Sequence, residues 1–289
     1  MAVANNRVFS PTGFQELFTI LGRLRDAVLY AGGTGHIRYR DPSRVSQSIV
    51  SLDSLEELKK ISRTESFIEI GSMVTLNRII HLGKVVPEPL IRCIGQIGGP
   101  ELRNLATIGG NICNPYERQD LSGPMIALDA QYELRSQQSS RWIQASRFSP
   151  VTTPAVFEGS EILTRVRVPL EPWTYTWYRK FKTPGGDGTG SNIILVLQNR
   201  KNILTGIRVV YSGRVILREK NSETMLAGKP LPLDRKHAAD FVESWKNYLA
   251  GLSEIESPAV QDGDGNSKPE MVKTQILNFI QTTISRVSE

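Results

Sequence analysis

The chain has 289 residues, of which 39% are apolar, and this length and composition predict an ordinary soluble globular protein with two or more domains. The net charge of +6 is scattered along the sequence, and without a basic stripe or a recognisable module we expect no nucleic-acid partner. No apolar stretch reaches the roughly 18 residues of a membrane span and the N-terminus lacks a signal-peptide pattern, so we expect a cytoplasmic location and no membrane partner.

A helix and two short strands are the first predicted elements. Residues 13–21 are typical of an amphipathic helix, with Thr12 as its N-cap and Gln15 three residues later. Residues 27–31 and 48–52 are apolar runs of strand length. The first strand leads into Ala31-Gly32-Gly33-Thr34-Gly35, which we call the first glycine segment. The predicted order is therefore helix, strand and ligand loop.

Helices and strands are both predicted between residues 55 and 172. They are a short helix at 55–61, a strand at 67–71, a helix at 76–82 capped by Thr75, an apolar segment at 87–97, a buried helix at 124–129, and strands at 131–136 and 161–168. Thr107-Ile108-Gly109-Gly110-Asn111, the second glycine segment, lies in their midst and is predicted to be a turn.

Two prolines, Pro169 and Pro172, mark the predicted domain boundary because they end regular structure. The first domain would be residues 1–172, with lobes at roughly 1–55 and 56–172, and the second would be residues 173–289. In the second domain we predict strands at 173–181, 192–197 and 204–211, helices at 235–250 and 269–287, and a polar loop at 253–268.

The two glycine segments carry the strongest functional signal. Glycine lacks the Cβ that would keep a ligand away from the main chain, and consecutive glycines let backbone N–H groups converge on an anion. Two such segments could hold one long ligand from both sides, and a dinucleotide with a central pyrophosphate is the natural candidate. Neither segment has the spacing of the Rossmann or P-loop motif, so the sequence argues against those two folds.

The residue types that bind metals are sparse. Cys93 and Cys113 are the two cysteines, and an iron–sulfur cluster usually needs four, so any such cluster must lie on another polypeptide. The three histidines are far apart and form no zinc-binding motif. We therefore predict no metal ligand in this chain.

Residues 97–115, IGGPELRNLATIGGNICNP, closely resemble the FAD-binding medium subunits of the molybdenum hydroxylases, the family of xanthine dehydrogenase and carbon monoxide dehydrogenase. The resemblance continues at Asp120, upstream through Ala31 to Thr34 and through residues 70–72, and downstream through residues 161–163. It implies an α+β fold, with a two-lobed FAD-binding domain of the vanillyl-alcohol-oxidase, PCMH-like type, followed by a smaller α+β domain.

The same resemblance implies a set of FAD-binding residues. They are Val28, Leu29, Tyr30, Ala31, Gly32, Gly33, Thr34, Gly35, Thr107, Ile108, Gly109, Gly110, Asn111, Asp120, Leu163 and Lys180. The N–H groups of Gly32 to Gly35 would contact the pyrophosphate, Asp120 would accept a hydrogen bond from a cofactor hydroxyl, and Lys180 would lie near the flavin end. No side chain is predicted to be catalytic. Many relatives have an arginine four residues after this lysine, whereas here Pro184 is followed by the glycine-rich residues 185–190.

By this resemblance, the chain would be the FAD-carrying electron-transfer subunit of a xanthine dehydrogenase-like enzyme. A molybdopterin-binding large subunit would hydroxylate the substrate, an iron–sulfur small subunit would pass electrons on, and FAD would deliver them to NAD or another acceptor. Two alternatives remain open. One is a structural or assembly subunit that binds flavin weakly, as the altered residues 183–190 would allow, and the other is a stand-alone flavin oxidoreductase.

Overall fold

The computed structural model of the chain describes residues 7–24, 27–35, 48–114, 120–148, 157–158, 160–181, 191–213, 215–252 and 269–288. The chain divides into two compact units, Met1–Glu171 and Pro172–Glu289. The predicted loops at 183–190 and 253–268 lie outside the described residues.

A small parallel sheet and one helix begin the first unit. Strands β1 (Val8–Phe9), β2 (Val28–Tyr30) and β3 (Ile49–Ser51) pair in the order β1-β3-β2. Helix α1 (Phe14–Arg23) buries the apolar face that its sequence period predicts, formed by Phe14, Leu17, Phe18 and Leu21.

The predicted cap of α1 is wrong. Gly13 is the N-cap residue and its helix start has no side-chain cap. Thr12 instead precedes the cap, and its backbone N–H donates to the Glu16 carboxylate at 2.9 Å. A carboxylate in the first helical turn satisfies this donor and also suits the helix dipole, so Glu16 takes the place assigned to Gln15.

A five-stranded antiparallel sheet forms the larger part of the first unit. Its strands are β4 (Ile61–Arg63), β5 (Phe67–Gly71), β6 (Gln131–Arg135), β7 (Ser140–Gln144) and β8 (Ile162–Pro169), in the order β4-β5-β8-β6-β7. The accompanying helices are α2 (Leu76–His81), α3 (Glu88–Ile94), α4 (Pro100–Leu105), α5 (Ile108–Ile112) and α6 (Ser122–Ala127). A 3-10 helix, Glu56–Lys59, replaces the longer helix predicted at 55–61.

The two faces of the five-stranded sheet differ in chemistry because neighbouring residues of a strand point to opposite sides. One face is apolar and buried, through residues such as Ile68, Ile70, Val166 and Val168. The other carries buried carboxylates bound to arginines. Arg165 contacts Glu69 at 2.8 Å and Glu133 at 2.6 Å, and Arg167 contacts Glu69 at 2.7 Å.

The described part of the second unit consists of a four-stranded antiparallel sheet and three helices. The strands are β9 (Tyr175–Lys180), β10 (Asn192–Arg200), β11 (Ile203–Ser212) and β12 (Ile216–Leu217), in the order β12-β11-β10-β9, and the helices are α7 (Lys220–Met225), α8 (Arg235–Ala250) and α9 (Pro269–Ser288). Its core joins Ile193, Leu195 and Leu197 of β10 with side chains of α8 and α9. The mixture of sheets and helices confirms the α+β class.

We predict that Arg165→Met lowers the free energy of unfolding at pH 7 by about 2 kcal/mol, because Glu69 and Glu133 are left buried without this cation. This loss is smaller than that expected for a fully buried ion pair, because the Arg165 side chain is 43% exposed and solvent screens its charge. Urea denaturation of the full chain measures the loss. Arg63→Met is the matched control, because Arg63 is exposed on β4, and should change stability by less than about 0.5 kcal/mol.

The loss should depend on pH. Burial, the largest single influence, raises the pKa of Glu133, but the hydrogen bonds from Arg165 and Thr164 together with the positive charges of Arg165 and Arg135 bring the pKa below its ordinary value. A carboxyl whose pKa is lowered by folding adds stability above its unfolded pKa of about 4.3, and this stability is lost as the pH falls through the folded pKa. The difference between Arg165→Met and the unmodified chain should therefore shrink below about pH 4, and a difference that stays constant down to pH 3 would contradict the ion-pair account.

Candidate functional site

Strand β2 delivers the chain to the first glycine segment. Gly33 has φ +73, in the left-handed region that favours glycine, and a Cβ there would overlap the Tyr30 hydroxyl. A Cβ on Gly32 would overlap the carbonyl oxygen of Leu105 and lie 2.7 Å from its carbonyl carbon. The first glycine segment is therefore packed directly against the end of α4.

The backbone N–H groups of Gly32 and Gly33 are available for a ligand. In the part of the chain that the structure describes, no acceptor is hydrogen-bonded to the N–H group of Gly32 or of Gly33. Backbone N–H groups around a left-handed glycine form concave sites that favour anions. The first glycine segment can therefore contribute hydrogen bonds to a phosphate.

The second glycine segment is a short helix, so the predicted turn is wrong. Thr107 is the N-cap of α5, and its Oγ1 accepts a hydrogen bond from the Gly110 N–H at 3.0 Å. The Ile108 N–H donates to Val74 O at 3.0 Å and the Gly109 N–H donates to Ser72 O at 2.9 Å. These three N–H groups are hydrogen-bonded within the protein. The second glycine segment can therefore contact a ligand, but these groups are not free to donate hydrogen bonds to it.

Close packing explains why residue 109 is glycine. A Cβ on Gly109 would lie 2.7 Å from Ser72 Cβ and 2.8 Å from Ser72 O, distances that real Cβ atoms do not show. Gly110 differs, because it is exposed and its Cβ would meet the Thr107 hydroxyl at 2.9 Å and Ala31 Cβ at 3.8 Å. Gly109 therefore holds α5 against Ser72, while Gly110 faces the first glycine segment.

The structure brings the two glycine segments side by side. Ala31 lies opposite Gly110, and Gly32 lies on Leu105, two residues before Thr107. A Cβ on Gly35 would be 3.3 Å from Asn114 Nδ2, just beyond the end of α5. The juxtaposition expected from the sequence is thus present in the fold.

Asp120 lies next to the second glycine segment. It is 2% exposed, and its carbonyl oxygen accepts a hydrogen bond from the Cys93 thiol at 3.4 Å. The following residue, Leu121, donates its N–H to Asn111 Oδ1 at 3.3 Å. The Asn111 side chain therefore fixes the chain at Asp120 relative to α5.

Leu163 and Lys180 lie on different elements. Leu163 is 5% exposed on β8, and the carbonyl of the next residue, Thr164, accepts the Ser72 N–H at 2.9 Å. Because Ser72 also accepts the Gly109 N–H, Leu163 lies close to the start of α5. Lys180 is the last residue of β9 in the second unit, where it pairs with Asn192.

Two residues that the sequence analysis did not assign to the site help to form it. The Ser72 carbonyl oxygen accepts a hydrogen bond from the Gly109 N–H, and the Leu105 carbonyl group lies against Gly32. A glycine in the sequence signals that some atom comes close, but the identity of the neighbour depends on tertiary structure. The residues around 70–72 were part of the family resemblance, and that was the one signal pointing to Ser72.

The described residues form neither a metal-binding cluster nor a membrane-spanning helix. Among the described residues, no three His, Cys, Asp or Glu side chains are grouped so that they could hold a metal ion. Burial raises the pKa of the Cys113 thiol to about 12, so this cysteine is protonated near neutral pH. None of the described helices has the length and apolar character needed to cross a membrane.

Comparison with known proteins gives consistent matches over most of the chain. The family described as an FAD binding domain in molybdopterin dehydrogenase matches residues 4–171. The carbon monoxide dehydrogenase medium chain of Hydrogenophaga pseudoflava is 27% identical over 241 residues, which cover 80% of this chain and 83% of that relative. The xanthine dehydrogenase FAD-binding subunit of Escherichia coli O157:H7 is 27% identical over 281 residues, covering 94% and 91% respectively.

Solved structures show the same fold. A crystal structure of quinoline 2-oxidoreductase from Pseudomonas putida 86 is similar to the whole of this chain with a TM-score of 0.80 at 20% identity, and 98% of that chain is covered. A Cu,Mo-CO dehydrogenase structure is similar over 98% of this chain with a TM-score of 0.78 at 21% identity.

We predict different effects for alanine at the two glycines of α5. Gly109→Ala should lower the free energy of unfolding by about 2 kcal/mol or more, because its Cβ meets the Ser72 backbone. Gly110→Ala should cost less than about 1 kcal/mol, since the Thr107 hydroxyl can shift and alanine favours a helix over glycine by a similar amount. Thermal unfolding of the FAD-free chain compares the two, and equal losses would contradict the close packing on Ser72.

Proposed function

This chain belongs to the family of FAD binding domains in molybdopterin dehydrogenases, and we propose that it is the FAD-carrying electron-transfer subunit of a molybdenum hydroxylase. The observation that carries the proposal is the meeting of the two glycine segments, where Gly110 faces Ala31 and the N–H groups of Gly32 and Gly33 have no acceptor among the described residues.

The residues present fit a dinucleotide with a central pyrophosphate. A phosphate that approaches the first glycine segment meets two backbone donors and no side chain on Gly32 or Gly33. Gly110 is exposed and carries no side chain, so its backbone is accessible to a ligand that lies along the two segments. This arrangement can bind an extended anion along the place where the two backbone segments meet, as the family's cofactor FAD requires.

The other predicted FAD-binding residues take supporting roles in this proposal. The set comprises Val28, Leu29, Tyr30, Ala31, Thr34, Gly35, Thr107, Ile108, Gly109, Asn111, Asp120, Leu163 and Lys180. Asp120 is an acceptor-only group when ionised and would bind a cofactor hydroxyl. Asn111 would keep Asp120 in place, because its side chain holds the neighbouring Leu121 N–H. The role of Lys180 at the flavin end rests on the family resemblance.

The proposed electron path needs other polypeptides. The bound flavin supplies the chemistry, since it can take up and release one or two electrons, and the protein supplies binding and orientation. The chain has two cysteines, and one of them, Cys113, has a raised thiol pKa, so electrons would arrive from iron–sulfur clusters on a partner subunit. The related medium chains carry names of multisubunit dehydrogenases, which supports a molybdopterin-binding large subunit as the second partner.

The electron acceptor would be NAD or another small or protein acceptor. The FAD-binding domain would be residues 1–172 and the C-terminal flavoprotein domain residues 173–289, which is supported by the compact units that divide after Glu171. The cytoplasmic location remains a prediction of the sequence.

We predict that Gly110→Val abolishes flavin retention while the chain stays folded. The β-branched side chain would cover the exposed surface at which Gly110 meets Ala31, where the pyrophosphate would lie. The visible absorption spectrum of the purified variant and a titration with FAD give the measurement, with an expected loss of affinity of at least about a hundredfold.

A matched control comes from α1. Gly22→Val adds the same side chain where no atom lies within 4 Å of the new Cβ, and should retain FAD. Asp120→Ala should weaken FAD binding by a smaller factor of about ten, the amount expected for one hydrogen bond to a charged group. Full flavin occupancy in Gly110→Val would refute the position of the second glycine segment, and loss of flavin in Gly22→Val would show that valine acts through general destabilisation.

A further inference from the structure

The Arg103 side chain ties α4 to the end of α3. Its Nη1 donates hydrogen bonds to the carbonyl oxygens of Ile97 at 3.0 Å and Gly98 at 2.5 Å, and it lies 3.4 Å from the carbonyl oxygen of Gly95. Gly98 has φ +51, a left-handed conformation that is common just after a helix ends. Within the described residues no carboxylate forms an ion pair with Arg103, so its charge acts on these main-chain carbonyls.

Helix α4 depends on polar contacts of this kind. None of its six residues is buried, so apolar packing does little to fix its position. At its other end, the Leu76 N–H donates to Ala106 O at 2.9 Å and Asn77 Nδ2 donates to Asn104 Oδ1 at 2.6 Å. A charged donor makes hydrogen bonds roughly twice as strong as a neutral one, so Arg103 contributes most to holding α4 in place.

The end of α4 in turn sets the position of the first glycine segment. Leu105, two residues after Arg103, places its carbonyl group against Gly32, where a Cβ would overlap the carbonyl oxygen. A shift of α4 would therefore either press on Gly32 or open a gap beside it. The N–H groups of Gly32 and Gly33 would move with the segment, and they are the donors that the proposed function assigns to the pyrophosphate.

We propose that Arg103 is a positioning residue for the N–H donors of Gly32 and Gly33. It acts through α4 and the Leu105 carbonyl rather than by contact with the cofactor, and it is not among the FAD-binding residues implied by the family resemblance. That these donors bind the pyrophosphate of FAD rests on the proposed function.

The first test is FAD binding by Arg103→Gln, measured by fluorescence titration. The variant lacks the charged donor, and we expect the dissociation constant of FAD to rise about tenfold or more. In the variant saturated with FAD, the phosphorus-31 resonances of the pyrophosphate should shift from their positions in the unmodified chain, because its donors are displaced. Arg103→Lys keeps the charge and part of the donor set, and should recover part of the affinity.

Two control variants separate positioning from general destabilisation. Arg92→Gln makes the same substitution on α3, where Arg92 pairs with Glu88 at 2.6 Å, and should leave FAD affinity unchanged. Arg165→Met destabilises the five-stranded sheet and should keep both the FAD affinity and the phosphorus-31 resonances of the unmodified chain. A loss of affinity in Arg165→Met equal to that in Arg103→Gln would overturn the proposal, because it would show that lower stability alone weakens FAD binding.

Glycine-selective ¹⁵N NMR of the FAD-free chain tests the positioning step without the cofactor. Arg103→Gln should shift the amide signals of Gly32 and Gly33 and leave that of Gly22 on α1 in place. If these signals shift but the unmodified chain binds no FAD, the role of Arg103 is supported and the proposed function fails. If they stay in place, or if Arg103→Gln binds FAD as tightly as the unmodified chain, the role of Arg103 is overturned and the proposed function stands.

Discussion

Two glycines, Gly32 and Gly109, lie so close to carbonyl groups of other segments that a Cβ at either position would collide with backbone atoms. Gly32 lies on Leu105 at the end of α4, and Gly109 lies on Ser72 at the end of β5. Backbone atoms cannot move aside as a flexible side chain can, so these contacts fix the spacing between the first glycine segment, α5 and the five-stranded sheet. The remaining features of the candidate site depend on that spacing.

The two glycine segments differ in the hydrogen-bond donors that they offer to a ligand. The N–H groups of α5 are used by Thr107, Val74 and Ser72, which makes the second segment a rigid wall. The first segment keeps the N–H groups of Gly32 and Gly33 for a ligand among the described residues. A pyrophosphate bound along both segments would take its hydrogen bonds from the first segment and would lie against the exposed backbone of Gly110 in the second.

The sequence predicted the elements whose signal is local. The apolar period of α1, the Thr75 cap of α2 and the alternating faces of β8 are all present in the structure. The cap of α1 and the conformation of residues 107–111 were predicted wrongly, because Glu16 competes with Gln15 for the Thr12 N–H and Thr107 caps a helix where two glycines are typical of a turn. The partners of Gly32 and Gly109 could not be predicted, since a glycine shows that a neighbour is close but not which neighbour it is.

The central claim is that this chain holds FAD by itself and depends on other polypeptides for iron–sulfur clusters. The most direct test is the absorption spectrum of the purified chain, with the released cofactor identified by mass and the iron content measured. The account predicts one FAD per chain and no iron. A chain that remains without flavin after reconstitution with FAD would contradict the account and favour an assembly subunit that has kept the fold.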